Sequence, residues 1–151
     1  MPQRHDYQSR GTLISNYVVF KKFVFKTMHM IETPPSEIVD RYTIVKLKVE
    51  RIGSDVFSKE YKVLSDELER LLKSGTIRKE WVDELYSINS KIWNYEAEVK
   101  PYSESKKKDL AKIGALTLRM NHWNVKRTIL KSKIVKTIKI GFVDKKRMYS
   151  R

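Results

Sequence analysis

The chain has 151 residues, long enough for one domain with a buried core, and its 40% hydrophobic and 33% charged residues are typical of a folded protein. It contains no cysteine, which excludes disulfides, thiolate metal sites and cysteine nucleophiles. The formal net charge is +14, and residues 106–151 alone sum to +13, with fifteen Lys and Arg against two acidic residues, which predicts an anionic partner.

The first thirty residues differ from the rest of the chain. They show no helical periodicity and contain a short β-type apolar run at residues 13–25. We predict an N-terminal arm or appendage over residues 1–30 and a helical domain over residues 31–151. The alternative is an N-terminal strand that packs on the bundle or on a second subunit, which leaves an oligomer open. The apolar run is too short and too charged for a signal peptide or a membrane span, so we expect a soluble, cytoplasmic protein with no membrane partner.

Two helices are predicted in the first half of the helical domain. Two prolines precede Ser36, which is a good helix cap, and apolar residues then recur every three to four positions as far as Gly53. We expect Gly53 to adopt the left-handed conformation that ends many helices. The second helix is predicted over about residues 55–73, with Gly75 as its stop.

Two longer helices are predicted in the second half. The third opens at Thr76 and ends before Pro101, since proline disrupts a helix interior. The fourth begins either with Ser103 as its cap or nearer Asp109, because three successive lysines in a first turn would oppose the helix dipole. Gly141 ends it.

The links between these helices are short, which favours antiparallel packing of neighbours. We therefore predict an all-α fold, a four-helix antiparallel bundle with a long basic last helix and a loosely attached N-terminal segment. The positions expected to face the core include Val39, Val45, Ile52, Val56, Leu68, Trp81, Leu85, Ile88, Leu110, Trp123, Leu130 and Ile134.

Residues that would carry catalysis are poorly represented. His5, His29 and His122 lie far apart, which argues against a metal site. The five glycines are scattered, so there is no glycine-rich phosphate loop. No nucleophile and base can be paired from the serines. We expect a binding protein rather than an enzyme, with no cofactor and no metal.

Two polar stripes interrupt the apolar faces of the first and last helices. If these helices pack side by side, the stripes meet in one patch, and an arginine fork there would suit a phosphate or carboxylate. The alternative is that the single acid, Asp40, pairs with a basic neighbour and ties two helices together. The stripes consist of Asp40, Thr43, Lys48 and Arg51 on the first helix and Asn124, Arg127 and Lys131 on the last, and all of these except Arg51 are the predicted ligand contacts.

The same stripes carry a resemblance. The opening helix, with Asp40, Thr43 and Lys48, resembles the Asp-Lys-x-Thr-Ile-Leu-x-x-Lys motif of an uncharacterised small all-helical domain family of bacteria and tailed phages. Arg127 and Lys131, with the asparagine before them, are similar to that family's Asn-x-x-Arg-x-x-x-Lys motif. The resemblance covers about residues 34–150. It implies that the two stripes form one site, and the family's frequent glycosyltransferase neighbours imply an anionic sugar or sugar nucleotide.

The outer face of the last helix is a second candidate. Its basic residues resemble a stripe that follows a phosphate backbone, giving affinity without sequence readout. No helix-turn-helix, zinc-finger or RNA-recognition signature accompanies it. The alternative is an ordinary solvated lysine face. The candidate nucleic-acid contacts are Lys126, Lys133, Lys136, Lys139, Lys145, Lys146 and Arg147.

Three functional hypotheses follow. In the first, the protein is a non-enzymatic binding protein that holds a phosphate-bearing small molecule, a nucleotide or sugar nucleotide, between the two polar stripes. Because the resembling family occurs in phages, one version is a phage sponge for a signalling nucleotide. The alternatives are a non-specific nucleic-acid-binding protein that uses the basic last helix, and a small enzyme in which Asp40 is the general base.

Overall fold

The computed structural model describes residues 33–143; the predicted N-terminal arm and residues 144–151 lie outside this range. Within it the fold is an all-α four-helix bundle without strands, as predicted. The helices are α1 (Pro35–Ile52), α2 (Ser58–Lys73), α3 (Lys79–Glu104) and α4 (Leu110–Ile138). None of these four helices is long and apolar enough to cross a membrane.

The first helix contacts each of the other three. It runs antiparallel to α2: the Lys48 ammonium, near the end of α1, lies 5.3 Å from the ring centroid of Phe57, at the start of α2. One and a half turns earlier in α1, Tyr42 stacks on Tyr61 with their ring centroids 5.7 Å apart. The central place of α1 puts its polar stripe within reach of α3 and α4.

The two long helices, α3 and α4, also pair antiparallel. Near the link between them, Glu98 Oε1 lies 3.6 Å from Lys112 Nζ. Further from the link, the Lys91 ammonium of α3 lies 4.0 Å from the ring centroid of Trp123 in α4. Residues of α4 therefore face either α1 or α3, depending on their position around the helix.

The core draws on all four helices. Val39, Leu85 and Ile134 are completely buried, and each such side chain contributes about 1.5–3 kcal/mol by leaving water. Three residues predicted for the core are exposed instead: Ile52 at 63%, Val56 at 83% and Leu110 at 74%. Ile52 is the last residue of α1, Leu110 is the first of α4, and Val56 lies in the link before α2, so no neighbouring helix covers these side chains. Further buried positions that were predicted are Val45, Leu68, Trp81, Ile88 and Leu130.

The ends of α1 differ from the prediction. Pro34 occupies the cap position, and Ser36 is 1% exposed in the first turn without capping the helix. Gly53 has φ 127° and ψ 160°, a positive φ that favours glycine but not the left-handed helical conformation expected of it. The second helix starts at Ser58, three residues later than predicted.

The start of α3 also lies later, at Lys79 rather than Thr76. Ile77 is 2% exposed in the core, and its amide donates to the Leu71 carbonyl oxygen at 3.1 Å, closing the end of α2. Residues 74–78 are therefore used as a link. At its other end, α3 continues through Pro101 to Glu104, and the Lys112 ammonium of α4 lies 5.9 Å from the ring centroid of Tyr102 in this last turn.

The fourth helix begins at Leu110, with Asp109 as its cap. The Asp109 carboxylate accepts from the Lys112 amide at 2.9 Å, which confirms the later of the two predicted starts. Ser103 does not cap α4; its hydroxyl donates to the Lys100 carbonyl oxygen within α3. The helix ends before Gly141, because Lys139 already has φ 57° and its amide donates to the carbonyl oxygen of Val135.

Candidate anion-binding sites on the last helix

The two predicted polar stripes meet where α1 packs on α4. Arg127 donates in a fork to Asp40, with Nε 2.8 Å from Oδ1 and one terminal nitrogen 2.6 Å from Oδ2. Lys131, one turn later, places Nζ 3.4 Å from Asp40 Oδ2 and 2.6 Å from Glu37 Oε1. Asp40 is only 3% exposed. Its carboxylate is therefore shielded from water and contacts two nitrogens of Arg127 and the ammonium of Lys131 instead.

The third helix completes the network through Asn89, which the sequence analysis missed. Its side-chain amide donates to Asp40 Oδ1 at 2.9 Å and to Thr43 Oγ1 at 2.8 Å. Thr43 in turn donates to the Asp40 carbonyl oxygen at 2.8 Å. We name these residues the inner cluster: Asp40, Thr43, Asn89, Arg127 and Lys131.

Both partners of the buried ion pair are held in their charged forms. Burial raises the pKa of Asp40, but the hydrogen bonds from Arg127 and Asn89 and the neighbouring positive charges lower it more, so the net pKa is below its ordinary value. Burial lowers the pKa of Arg127, but the hydrogen bond to Asp40 and the negative charges of Asp40 and its acidic neighbours together raise it above its ordinary value. A carboxylate with a lowered pKa is a weak proton acceptor at neutral pH, which disfavours Asp40 as a general base.

Together with the neighbouring Glu37, the inner cluster is balanced in charge. Asp40 and Glu37 oppose Arg127 and Lys131, so this part of the molecule has little net attraction for an anion. The Arg127 side chain is 29% exposed and that of Lys131 21%, so their outer edges remain in contact with solvent. Asp40 pairs with a basic neighbour, as in the alternative interpretation, but the cluster joins three helices rather than two and presents two partly exposed cations at its edge.

Two of the six predicted ligand contacts lie outside the inner cluster. Lys48 points its ammonium over the ring of Phe57 rather than toward Asp40. The backbone carbonyl oxygen of Asn124 accepts from the Thr128 hydroxyl at 3.1 Å, and its side-chain amide forms no hydrogen bond with residues 33–143. The site therefore unites four of the six predicted residues.

A groove of about 470 Å³ opens on the other side of α4, between it and α3. Ile88 and Leu130, 5% and 3% exposed, form its apolar base. We name it the outer groove, and it is lined by Glu84, Ser87, Ile88, Lys91, Trp123, Lys126, Ile129, Leu130 and Lys133.

Trp123 is the aromatic residue of the outer groove. Two ammonium groups lie over its ring, that of Lys91 at 4.0 Å and that of Lys126 at 4.3 Å from the centroid. His122 meets the ring edge-on at 5.8 Å. Both lysines are exposed, so the cations that lie over the indole ring are at the protein surface.

The cations along this face of α4 and the adjoining edge of α3 differ from the paired lysines of α2 and α3. On α2 and α3, Lys62, Lys73 and Lys79 each form an ion pair with an acid four positions away. The outer cations form no ion pair with any residue between 33 and 143. These outer cations are Lys91, Arg119, Lys126, Lys133, Lys136 and Lys139.

Four of the outer cations were predicted from the sequence, and two were missed. Lys91 lies on α3, so only the pairing of α3 with α4 brings it to the stripe. Arg119 lies seven residues before Lys126, a spacing that keeps both on one face of α4. The predicted contacts Lys145, Lys146 and Arg147 lie outside the described residues.

No group of three or more His, Cys, Asp or Glu residues within 33–143 is arranged to hold a metal ion. Comparison of the chain with protein-family models, with curated proteins and with solved structures found no match. The resemblance to the small phage and bacterial family therefore stays a prediction.

Proposed function

We propose that the protein binds nucleic acid through the outer cations of α4 and the adjoining edge of α3. The supporting observation is that these cations have no acidic partner among the described residues, whereas the paired cations of the inner cluster do. Unpaired surface charge of one sign repels itself, and a polyanion relieves this repulsion and releases its own counterions.

The spacing of the cations fits an extended ligand better than a compact one. Arg119, Lys126, Lys133 and Lys136 follow one side of α4 over seventeen residue steps, about 25 Å at 1.5 Å per residue. Lys91 adds a cation from α3 beside this line. A ligand with phosphates along its length contacts all of them at once, and such contacts give affinity rather than sequence selectivity.

The test is a triple substitution of Lys126, Lys133 and Lys136 to Gln. We expect the wild-type protein to bind a short oligonucleotide with affinity that falls steeply as salt rises. The triple variant should bind more weakly, and the slope of log K against log salt should decrease by about 2 to 3, roughly one counterion for each lost phosphate contact. Fluorescence anisotropy at several salt concentrations measures both quantities.

The matched control is the triple substitution of Lys62, Lys73 and Lys79 to Gln. It removes the same charge from the whole chain but takes it from residues that already have acidic partners. We expect its affinity and salt slope to stay close to wild type. Equal effects of the two triple variants would show that net charge alone is responsible, and absence of binding at low salt would exclude the proposal.

A second candidate is the small phosphate-bearing ligand predicted from the sequence, a nucleotide or sugar nucleotide. It is favoured by the convergence of Asp40, Thr43, Arg127 and Lys131 and by the partial exposure of the two cations. Such a ligand would have to compete with Glu37 for Lys131. Arg127→Ala is a poor test, because it leaves Asp40 buried without its main partner and so destabilises the fold.

Lys131→Gln is the better variant for that test. Thermal unfolding with a nucleotide and sugar-nucleotide panel should reveal a ligand that raises Tm by mass action, and the substitution should reduce the increase. A Tm increase that Lys131→Gln leaves unchanged, but that the Lys126, Lys133 and Lys136 variant abolishes, would assign the ligand to the outer groove instead.

A further inference from the structure

We infer that the outer groove accepts an unpaired base on Trp123, so that the ligand class is single-stranded nucleic acid. The inference rests on the proposed function, because the outer cations would hold the backbone while Trp123 holds a base. Base–aromatic stacking tolerates any sequence, since every base has a π face. A stacking contact of this kind is therefore consistent with a sequence that contains no base-reading motif.

The position of Trp123 suits a stacking platform. The ring packs partly against the hydrophobic core, which fixes its orientation, while part of it remains accessible. The ammonium groups of Lys91 and Lys126 approach within 4.0 and 4.3 Å of its centroid. Because neither ammonium has an acidic partner within residues 33–143, each is free to move from the ring to a phosphate when a base takes its place.

The groove around the ring has the size and lining that a base requires. Its volume of about 470 Å³ lies within the range of small-ligand sites. Ile129, 63% exposed, extends the apolar surface beside the ring, and Lys133 stands at the rim. Glu84 also lines the groove and would repel a phosphate placed next to it, so the backbone should follow the lysines on the α4 side.

The other two tryptophans provide a contrast within the same chain. Trp81 is 7% exposed and belongs to the core. Trp93 has a cation over its ring, the Arg51 guanidinium at 5.8 Å, but that group is already bonded to Ser90 and Asn94, each at 2.6 Å. Trp123 therefore combines an accessible ring with neighbouring cations that have no other polar partner among the described residues.

The test compares three ligands of one length, about 12 nucleotides, a typical site size for single-strand binders. They are oligothymidylate, the same sugar–phosphate chain without bases, and the thymidylate strand paired as a duplex. We expect wild type to bind oligothymidylate about tenfold more tightly than the chain without bases, the effect of one stacked base. It should also prefer the single strand to the duplex, whose bases are already stacked internally.

Trp123→Leu should remove the preference for oligothymidylate and leave the affinity for the chain without bases unchanged. Trp93→Leu is the matched control and should keep the preference. The comparison of ligands on wild type needs no variant, so the inference is tested even if Trp123→Leu folds poorly. Trp123→Phe, which retains a smaller ring, should then give an intermediate preference.

The outcomes separate the inference from the proposal beneath it. If no ligand binds at low salt, the proposed function fails. If wild type binds the chain without bases as tightly as oligothymidylate, or prefers the duplex, the stacking site is refuted while backbone binding by the outer cations stands. A preference that survives Trp123→Leu would equally overturn the assignment to Trp123.

Discussion

The two sides of α4 use basic residues in opposite ways. On the side facing α1, Arg127 and Lys131 are mostly buried, and each has a carboxylate partner within hydrogen-bonding distance. On the side facing the outer groove, Lys126 and Lys133 are exposed and have no acidic partner among residues 33–143. Both pairs lie on one helix, with Lys126 and Arg127 adjacent in the sequence.

The difference follows from solvation. A charge that leaves water loses several kcal/mol of hydration, so it is tolerated only with a partner, and the partnered group then stabilises the fold. An exposed ammonium keeps its hydration and needs no partner, so it remains available for a ligand. Sequence composition counts both kinds of cation equally, and only their surroundings separate structural charge from charge that can bind.

The largest effect should come from removing the inner carboxylate. Asp40→Asn keeps the shape of the side chain but leaves Arg127 without its counter-charge, and we expect a loss of about 3–5 kcal/mol in the free energy of unfolding. Urea denaturation at neutral pH measures it. Asp83→Asn is the control, since its ion pair with Lys79 is exposed and should change stability by less than about 0.5 kcal/mol. Similar losses in both variants would contradict a special role for the inner cluster.

Acid should remove the same interaction reversibly. The pKa of Asp40 is lowered in the folded protein, so its contribution to stability is complete above the unfolded-state pKa of about 3.9 and is lost as pH falls through the lower folded-state value. Wild type should therefore lose stability below about pH 4 more steeply than Asp40→Asn, which has no carboxylate to protonate there. Parallel curves of unfolding free energy against pH would place the acid sensitivity in other carboxylates.

A smaller loss is expected from Arg127→Lys. Lysine keeps the positive charge beside Asp40 but cannot reproduce the two-pronged contact of the guanidinium. We expect about 1–2 kcal/mol, between wild type and Asp40→Asn, in the same urea experiment. A loss as large as that of Asp40→Asn would indicate that fork geometry matters as much as charge.

How far the sequence could predict this fold and site depends on the range of the interactions. The number of helices and the polar stripes on α1 and α4 followed from local periodicity, whereas the meeting of the stripes was expected only if these two helices pack side by side. The continuation of α3 through Pro101 did not, because the local rule ends a helix before proline, and the contact of Tyr102 with Lys112 of α4 arises only from the pairing of the two helices. Asn89 was missed for a similar reason, although one signal existed: it is a polar residue directly after Ile88 on the most apolar side of α3.

The outer groove was harder to predict than the inner cluster. Trp123 has the sequence spacing of a core residue, and it does pack partly against the core. The hydrophobic spacing of α4 alone therefore could not show that part of the ring stays accessible. Lys91 lies thirty-two positions earlier and joins the groove only through the pairing of α3 and α4. A pattern within one helix identifies a face, but it does not identify which residues of a neighbouring helix share it.

The variant with the largest expected effect on binding should have the smallest effect on stability. Changing Lys126, Lys133 and Lys136 to Gln removes no ion pair within residues 33–143 and relieves repulsion between like charges on one helix face, so stability should change by about 0.5 kcal/mol or less, toward stabilisation. The change should be greatest at low salt and fade as salt screens the charges. Thermal unfolding of this variant and of Lys62, Lys73 and Lys79 to Gln provides the comparison, because the latter breaks three ion pairs and should not gain stability. If the outer substitutions instead cost several kcal/mol, these lysines are structural like those facing α1, and the division of α4 into two functional sides is wrong.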